Sequence, residues 1–545
     1  MHLNASSYLS KRAVDEPLST AIVVPARSSF LKKTKRKELS FSELDLKTGL
    51  IATHLRAMGV NKGSRVLMMV KPGLDLIQIV FALLKLGAIP IVIDPGMGLA
   101  RFFQSASEAK ADFIIGQSLA ILIAKLNAGK MQTVERFIAL NNSFKRQVNA
   151  LSDQVKVDPV SVEANDLAAI LFTSGSTGPA KGVSYTHGIF AAQIKLIQEQ
   201  YGICPGEVDL PMLPVFALFN PAFGTCTVVP DMNPSRPASV NPKKIVESIL
   251  ENNVTYSFGS PAIWSNIVSY CEAFEISLPS LKRVMMAGAP VPQSLLVRLK
   301  EFLPNGEIFT PYGATEALPV SSISASEIIA KQIGEYKNGR KGICVGRAFP
   351  GIFIKVIQPI EGPIEALADT KIRDVGMLGE IIVSGPSVTR AYDSRLEATK
   401  MSKIKDSDRV WHRMGDMGWL DSEGYLWFCG RKAERVETDK GLFETVCCEA
   451  VFNELDFVAR SALVQVGDEV SIIVEPIKGK FPRDEAARSK LRGLLRKRAL
   501  EDPLTKNIEH FYFEEHFPVD VRHNAKIHRL SLAKKFSSLK AAELD

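Results

Sequence analysis

The chain has 545 residues, 46% of them hydrophobic and 23% charged, with 37 glycines and 30 prolines. That balance excludes a low-complexity or collagen-like chain and describes a globular protein long enough for about three to four units at roughly 150 residues each. The net charge of +8 is a mild basic excess for this length, and by itself it implies no nucleic-acid partner.

Met1 to Ser10 has no apolar core of signal-peptide length. A first basic cluster, Lys32-Lys-Thr-Lys-Arg-Lys37, reads as a solvated face or as a point of peripheral membrane contact. Ser40 and Glu43 have the spacing of a capping box, which predicts a helix to about Met58. Arg65 to Val70 then reads as a strand, Leu74 to Leu86 as a helix, Ala88 to Ile93 as extended, Ala100 to Ala109 as helical and Asp112 to Ile115 as extended. The apolar stretch Leu74–Ile93 carries Asp75, Gln78, Lys85 and Pro90, so it is a helix, turn and strand rather than a membrane span, and no transmembrane segment is expected. Strands alternating with helices predict an α/β body.

The run Phe172-Thr-Ser-Gly-Ser-Thr-Gly-Pro-Ala-Lys-Gly182 has the chemistry of a polyphosphate cradle. Gly175, Gly178 and Gly182 let the backbone turn N–H groups toward oxygens, Thr173, Ser174, Ser176 and Thr177 add hydroxyl donors, and Lys181 adds the cation. It lacks the Gly-Lys-Ser/Thr of a P-loop, which disfavours a P-loop kinase. The apolar run Leu167–Phe172 predicts a strand ahead of the loop, and a helix from about His187 suggests a helix N-terminus facing the same anion.

Further strands at Thr255–Phe258, Arg283–Gly288 and Glu307–Tyr312 each run into a Gly/Pro turn, the strand ends at which open α/β sheets bind ligands. Beyond Gly430-Arg431 a compact mixed unit follows, with strands near Ser461–Val466 and Ser471–Val474 and a basic helix holding Arg488 to Arg498, a second candidate for membrane-surface contact. The seven cysteines are scattered without zinc-site spacing and fit reduced thiols in a cytoplasmic protein. Cys447-Cys448 reads as packing rather than redox chemistry.

Tyr312-Gly-Ala-Thr-Glu316, Trp411-His-Arg-Met-Gly-Asp416, Gly430-Arg431 and Lys526, in that order behind the Gly/Ser/Thr loop, resemble the adenylate-forming superfamily of acyl-CoA synthetases, luciferases and peptide adenylation domains. The resemblance runs from about residue 15 to 532. It implies an α/β fold, with a large multi-layered N-terminal domain over residues 1–433 and a small mobile α+β C-terminal domain over 434–545. It also implies an ATP-dependent ligase that joins a small-molecule acyl acid to AMP, with Mg²⁺ at Glu316. By the same resemblance Thr173 to Gly178 and Lys181 hold the phosphates, Gly288, Ala289, Pro290, Tyr312 and Gly313 line the adenine, and Asp416 and Arg431 hold the ribose. Thr315 and Glu316 are catalytic with Lys526, and Glu434 is the hinge. An ammonium at Lys526 would neutralise charge on the α-phosphate as the acid attacks, after the small domain closes.

Three positions depart from the family's common pattern: Ala217 stands where a histidine is usual, Glu434 where Asp or Lys is usual, and Ala525 where Gly precedes the catalytic lysine. Ala217 weighs against CoA as a co-substrate. The stretches Phe216–Gly224, Val229–Pro237 and His523–Ile527 are similar to the olefin β-lactone synthetase branch, which implies a long-chain 2-alkyl-3-hydroxy acid whose own hydroxyl displaces AMP. Acyl-CoA formation and loading of a carrier-protein thiol are the alternatives. Phe216, Phe219 and Phe223 suit either an acyl pocket or core packing, and no oligomeric state is legible in the chain.

Overall fold

The computed structural model describes residues 4–25, 27–29, 32–34, 36–152, 157–173, 180–233, 236, 239–330, 342–519 and 527–542. Two largely parallel sheets of seven and six strands and an antiparallel sheet of eight make up its larger part, and a three-stranded sheet with two long helices lies toward the C-terminus. It is a mixed α/β fold with a large N-terminal domain and a smaller C-terminal one.

In the six-stranded sheet, Arg65–Met69 is flanked by parallel neighbours Ile89–Val92 and Phe113–Gly116. The pleat divides its side chains: Val66, Met68, Phe113 and Ile115 pack on one face, while Leu67, Ile91 and Ile114 pack on the other. Strands buried on both faces explain the unbroken apolar runs in the sequence. The helix Phe41–Ala57 covers one face, and its start is fixed as the spacing predicts. Ser40 N–H donates to Glu43 Oε2 at 2.8 Å, and Glu43 N–H donates to Ser40 Oγ at 3.2 Å.

The seven-stranded sheet is ordered Glu307–Phe309, Arg283–Met286, Tyr256–Gly259, Val208–Asp209, Cys226–Val228, Thr20–Val24, Lys37–Ser40. Its first six strands are parallel, so their C-terminal ends lie on one edge. The C-terminal unit repeats the two-faced logic, with Leu463, Ile472 and Val474 on one side and Ala462, Val464 and Ile473 on the other. No helix among the described residues is long and apolar enough to cross a membrane. Cys447 and Cys448 are both buried, and burial pushes the Cys448 thiol well up, which suits packing.

The antiparallel sheet contains a buried ion pair. Arg413 donates from Nε and Nη2 to the two oxygens of Glu380, 2.8 Å each, and both side chains are almost fully buried. Removing one partner of such a pair strands the other charge at a cost of about 3–5 kcal/mol. Lys432 Nζ remains 3.3 Å from Glu380, so Arg413→Met is expected to fall near the lower end, about 3 kcal/mol, read as a lower urea midpoint. A loss below about 1 kcal/mol would show that relief from desolvation cancels the pairing.

Candidate active site

The parallel strands Tyr256–Gly259, Arg283–Met286 and Glu307–Phe309 end side by side. The turn after the middle one begins at Gly288, whose φ of +93° suits glycine, and runs through Ala289 and Pro290. Downstream, Tyr312–Ala314 pairs with Ala317–Ser322, and because Ala314 faces Ala317, Thr315 and Glu316 are the two residues of a tight turn. A Cβ on Gly313 would lie 2.7 Å from the Ala317 carbonyl, so the hairpin admits no side chain there.

Asp416, in the long strand Arg409–Leu420, pairs across the ladder with Arg431 at the end of Leu426–Arg431. The Tyr312 hydroxyl donates to Asp416 Oδ2 at 2.5 Å, and Arg431 Nη1 lies 2.9 Å from Asp416 Oδ1. Burial, and then the charge of Asp416, push the Tyr312 hydroxyl well up. The same carboxylate raises Arg431. A neutral phenol, a carboxylate and a guanidinium therefore converge from three motifs that are far apart in the chain.

A second cluster surrounds Thr315 and Glu316. Tyr185 donates from its hydroxyl to the Thr315 carbonyl at 2.5 Å. Thr389 donates from both N–H and Oγ1 to the Glu316 carbonyl, 2.9 Å each. The Tyr392 hydroxyl donates to Glu316 Oε1 at 2.7 Å, and Lys181 Nζ stands 4.9 Å from the centroid of the Tyr392 ring. Lys403 donates to the Thr389 carbonyl at 2.5 Å, and burial pulls its ammonium down to about 7, against the raising effect of Glu316. Tyr185, Thr389, Tyr392 and Lys403 were not singled out from the sequence. The signal available was the Ser384-Gly-Pro-Ser-Val-Thr-Arg-Ala-Tyr392 stretch, a Gly-Pro turn directly after a strand.

The cradle's setting differs from expectation. Leu167–Phe172 and Gly182–Thr186 form an antiparallel hairpin closed by Thr173 N–H to the Lys181 carbonyl, 3.1 Å. The helix His187–Tyr201 starts at the opposite end, where His187 N–H bonds to the Asp166 carbonyl, about 16 Å along the strand from the loop at 3.3 Å per residue. Its N-terminus therefore does not face the cradle. The intervening strand went unseen because Gly182-Val-Ser-Tyr-Thr186 is short and only Val183 and Tyr185 mark its inner face. Ser174, Gly175, Ser176, Thr177 and Gly178 lie outside the described residues, as do Ala525 and Lys526. Val519 and Ile527, on either side of the segment holding Lys526, pair in an isolated antiparallel bridge.

Glu434 ends a short turn, Lys432–Glu434, and accepts from Arg529 Nη1 at 2.7 Å. Arg529 also holds both oxygens of Glu449, at 2.9 and 2.8 Å, so Glu434 is tied to the last helix, Arg529–Ala542. His187 is buried and accepts from Ala5 N–H through Nδ1 at 3.2 Å, a packing role.

Between the seven-stranded sheet and the Tyr312–Ser322 hairpin lies a pocket lined among others by Phe216, Phe219, Phe223, Phe258, Met285 and Leu318. Phe216 stacks on Phe258 with centroids 3.9 Å apart. Phe216 and Phe219 thus line a pocket and pack its walls at once. Ala217 instead packs into the N-terminal core with Leu9, Phe81 and Val229 and is almost fully buried there.

The AMP-binding enzyme family model matches residues 10–393. The chain is 36% identical over 548 residues to the olefin beta-lactone synthetase of Stenotrophomonas maltophilia (strain K279a), covering 97% of each chain. It is also 36% identical over 546 residues to the protein of that name from Xanthomonas campestris pv. campestris, again with 97% of each covered. Among solved structures it resembles ATP-bound MatB from Rhodopseudomonas palustris, with a TM-score of 0.77 at 21% identity over 99% of this chain and 100% of that one. It likewise resembles o-succinylbenzoate CoA synthetase (MenE) from Bacillus subtilis in complex with the acyl-adenylate OSB-AMP, with a TM-score of 0.76 at 19% identity over 96% and 97%. At those identities the structural likeness speaks for the fold alone.

Proposed function

This chain belongs to the AMP-binding enzyme family and is an adenylate-forming enzyme, and from that premise we propose that it adenylates a long-chain 2-alkyl-3-hydroxy acid and closes the product to a β-lactone. The observation that carries the reading is the 36% identity over 97% of both chains to olefin beta-lactone synthetases. The apolar pocket lined by Phe216, Phe258, Met285 and Leu318 supports it.

In the first step a carboxylate oxygen of the acid attacks the α-phosphorus of ATP, and pyrophosphate leaves. In the second the 3-hydroxyl oxygen attacks the acyl carbon, the bond to AMP breaks, and the hydroxyl proton is released. No protein nucleophile is needed. Asp416 has the acceptors for ribose hydroxyls, with Arg431 and Tyr312 fixing its orientation. The Tyr312 ring and the Gly288–Pro290 turn would hold adenine, and Lys181 with the hydroxyls of 173–177 would hold the phosphates.

The donor set at Glu316 fits Mg²⁺: it is a hard carboxylate whose backbone is pinned by Thr389, and Tyr392 donates to its Oε1. Bound there, Mg²⁺ would offset charge on the departing pyrophosphate. Lys526 would place its ammonium on the α-phosphate, with 434–545 closing about Glu434 on residues 1–433.

Incubation with ATP and a 2-alkyl-3-hydroxy acid, with and without CoA, tests the reading. The expected products by mass spectrometry are AMP and the acid less one water, in both mixtures. An acyl-CoA formed only when CoA is added would instead make the chain an acyl-CoA ligase.

A further inference from the structure

The pocket's surface is almost wholly apolar, yet two polar residues stand in its wall. Asp209 and Asn220 both line it, and both are almost completely buried. Asn220 donates from Nδ2 to Asp209 Oδ2 and to Thr227 Oγ1, 2.8 Å each, and accepts from the Tyr256 hydroxyl at 2.9 Å. Tyr256 in turn shares a 2.8 Å hydrogen bond with Thr225. Among the described residues Asp209 Oδ1 has no hydrogen-bond partner. One oxygen of the carboxyl is thus held by the network, and the other is buried without a partner.

Depth decides what that oxygen meets. Asp209 stands in register with Tyr256, and Tyr256 with Arg283. That strand runs from Arg283 to Met286, about 10 Å at 3.3 Å per residue, and Gly288, at the proposed adenine turn, lies beyond its far end. Asp209 therefore lies at the end of the pocket remote from the nucleotide, below Phe216, Phe258 and Met285. An alkyl chain descending from the reacting carboxylate meets aromatic and aliphatic walls first and a polar group last. A methyl group packed against a buried oxygen that lacks a partner returns no hydrogen bond to it, and gains less than it would against an apolar wall.

We propose that Asp209, held by Asn220 and Tyr256, is the polar floor of the acyl pocket and sets the length of alkyl chain the enzyme accepts. This rests on the acid-adenylating function proposed above and adds the residue that would determine its chain-length specificity. Burial pushes the Asp209 carboxyl up to about 8, with Asn220 opposing, so at neutral pH the floor is a protonated acid.

The test is acid-dependent ATP–pyrophosphate exchange with 2-alkyl-3-hydroxy acids graded in chain length. Wild-type kcat/KM is expected to drop at the length whose methyl end reaches Asp209. Asp209→Leu keeps the side chain's shape without its polar atoms and is expected to raise the long-to-short ratio of kcat/KM about tenfold, or about 1.4 kcal/mol. Asp209→Asn is expected to keep the wild-type ratio. An Asp209→Leu profile identical to wild type overturns the proposal, whereas wild type without exchange on any acid overturns the function beneath it.

If the leucine variant does not fold, the wild-type enzyme carries the test. Raising the pH through about 8 ionises the floor and is expected to lower the long-to-short ratio further; a flat ratio overturns the proposal. The titratable groups around Asp209 are Tyr256, whose hydroxyl burial holds up, Cys226 on the neighbouring strand, whose thiol burial pushes up, Tyr201 in the same pocket wall, and beyond Tyr256 the Glu207–Arg283 ion pair at 2.7 Å.

Discussion

Lys526→Ala is expected to lower acid-dependent ATP–pyrophosphate exchange by about 10²–10³-fold while leaving the Kd for ATP near that of wild type. The asymmetry follows from when the charge is needed. In bound ATP the proposed cradle and Mg²⁺ would already offset part of the α-phosphate charge, but as the acid's oxygen adds, negative charge grows on the nonbridging oxygens. A cation that arrives with domain closure contributes mainly at that moment, so its loss falls on kcat rather than on ATP binding. Exchange rates and equilibrium ATP binding, measured on the same protein, separate the two. Equal loss of both would place Lys526 in ground-state binding.

Asp416→Ala carries the other large expected effect, a rise of about a hundredfold in the KM for ATP, or about 2.7 kcal/mol. Asp416 is buried, takes the Tyr312 hydroxyl at 2.5 Å and faces Arg431 at 2.9 Å. Truncation removes the proposed ribose acceptor. It also leaves a buried phenol without its acceptor and a guanidinium without its counter-charge, so the adenine and ribose contacts lose their alignment together. Asp416→Asn retains an acceptor for Tyr312 but not the charge, and should fall between wild type and alanine. An unchanged KM in the alanine variant would remove Asp416 from the nucleotide site.

Much of the candidate site was legible because its residues sit in short motifs that carry a family resemblance. Tyr312, Thr315, Glu316, Asp416 and Arg431 were singled out that way, and the structure brings Tyr312, Asp416 and Arg431 within contact. The strands and helices of the six-stranded sheet were legible for a similar reason, since burial on both faces writes continuous apolar runs and the Ser40–Glu43 cap is set by spacing alone. The hairpin that carries the cradle was not, because five residues with two inward side chains give too little periodicity to compete with the helix that follows.

The sequence by itself determined the family, the adenylating chemistry and the order of the motifs, since these depend on residue types at fixed local spacings. Only the tertiary structure decided which side chains support them. Tyr392 reaches Glu316 across 76 positions, and Tyr185 reaches Thr315 across 130, distances over which no local pattern runs. Asp209 is the plainest case: in Val208-Asp-Leu-Pro-Met212 it is one acid in an apolar run. Sheet register and the packing of Asn220 and Tyr256 over it are what turn that acid into a buried carboxyl with one oxygen left without a partner.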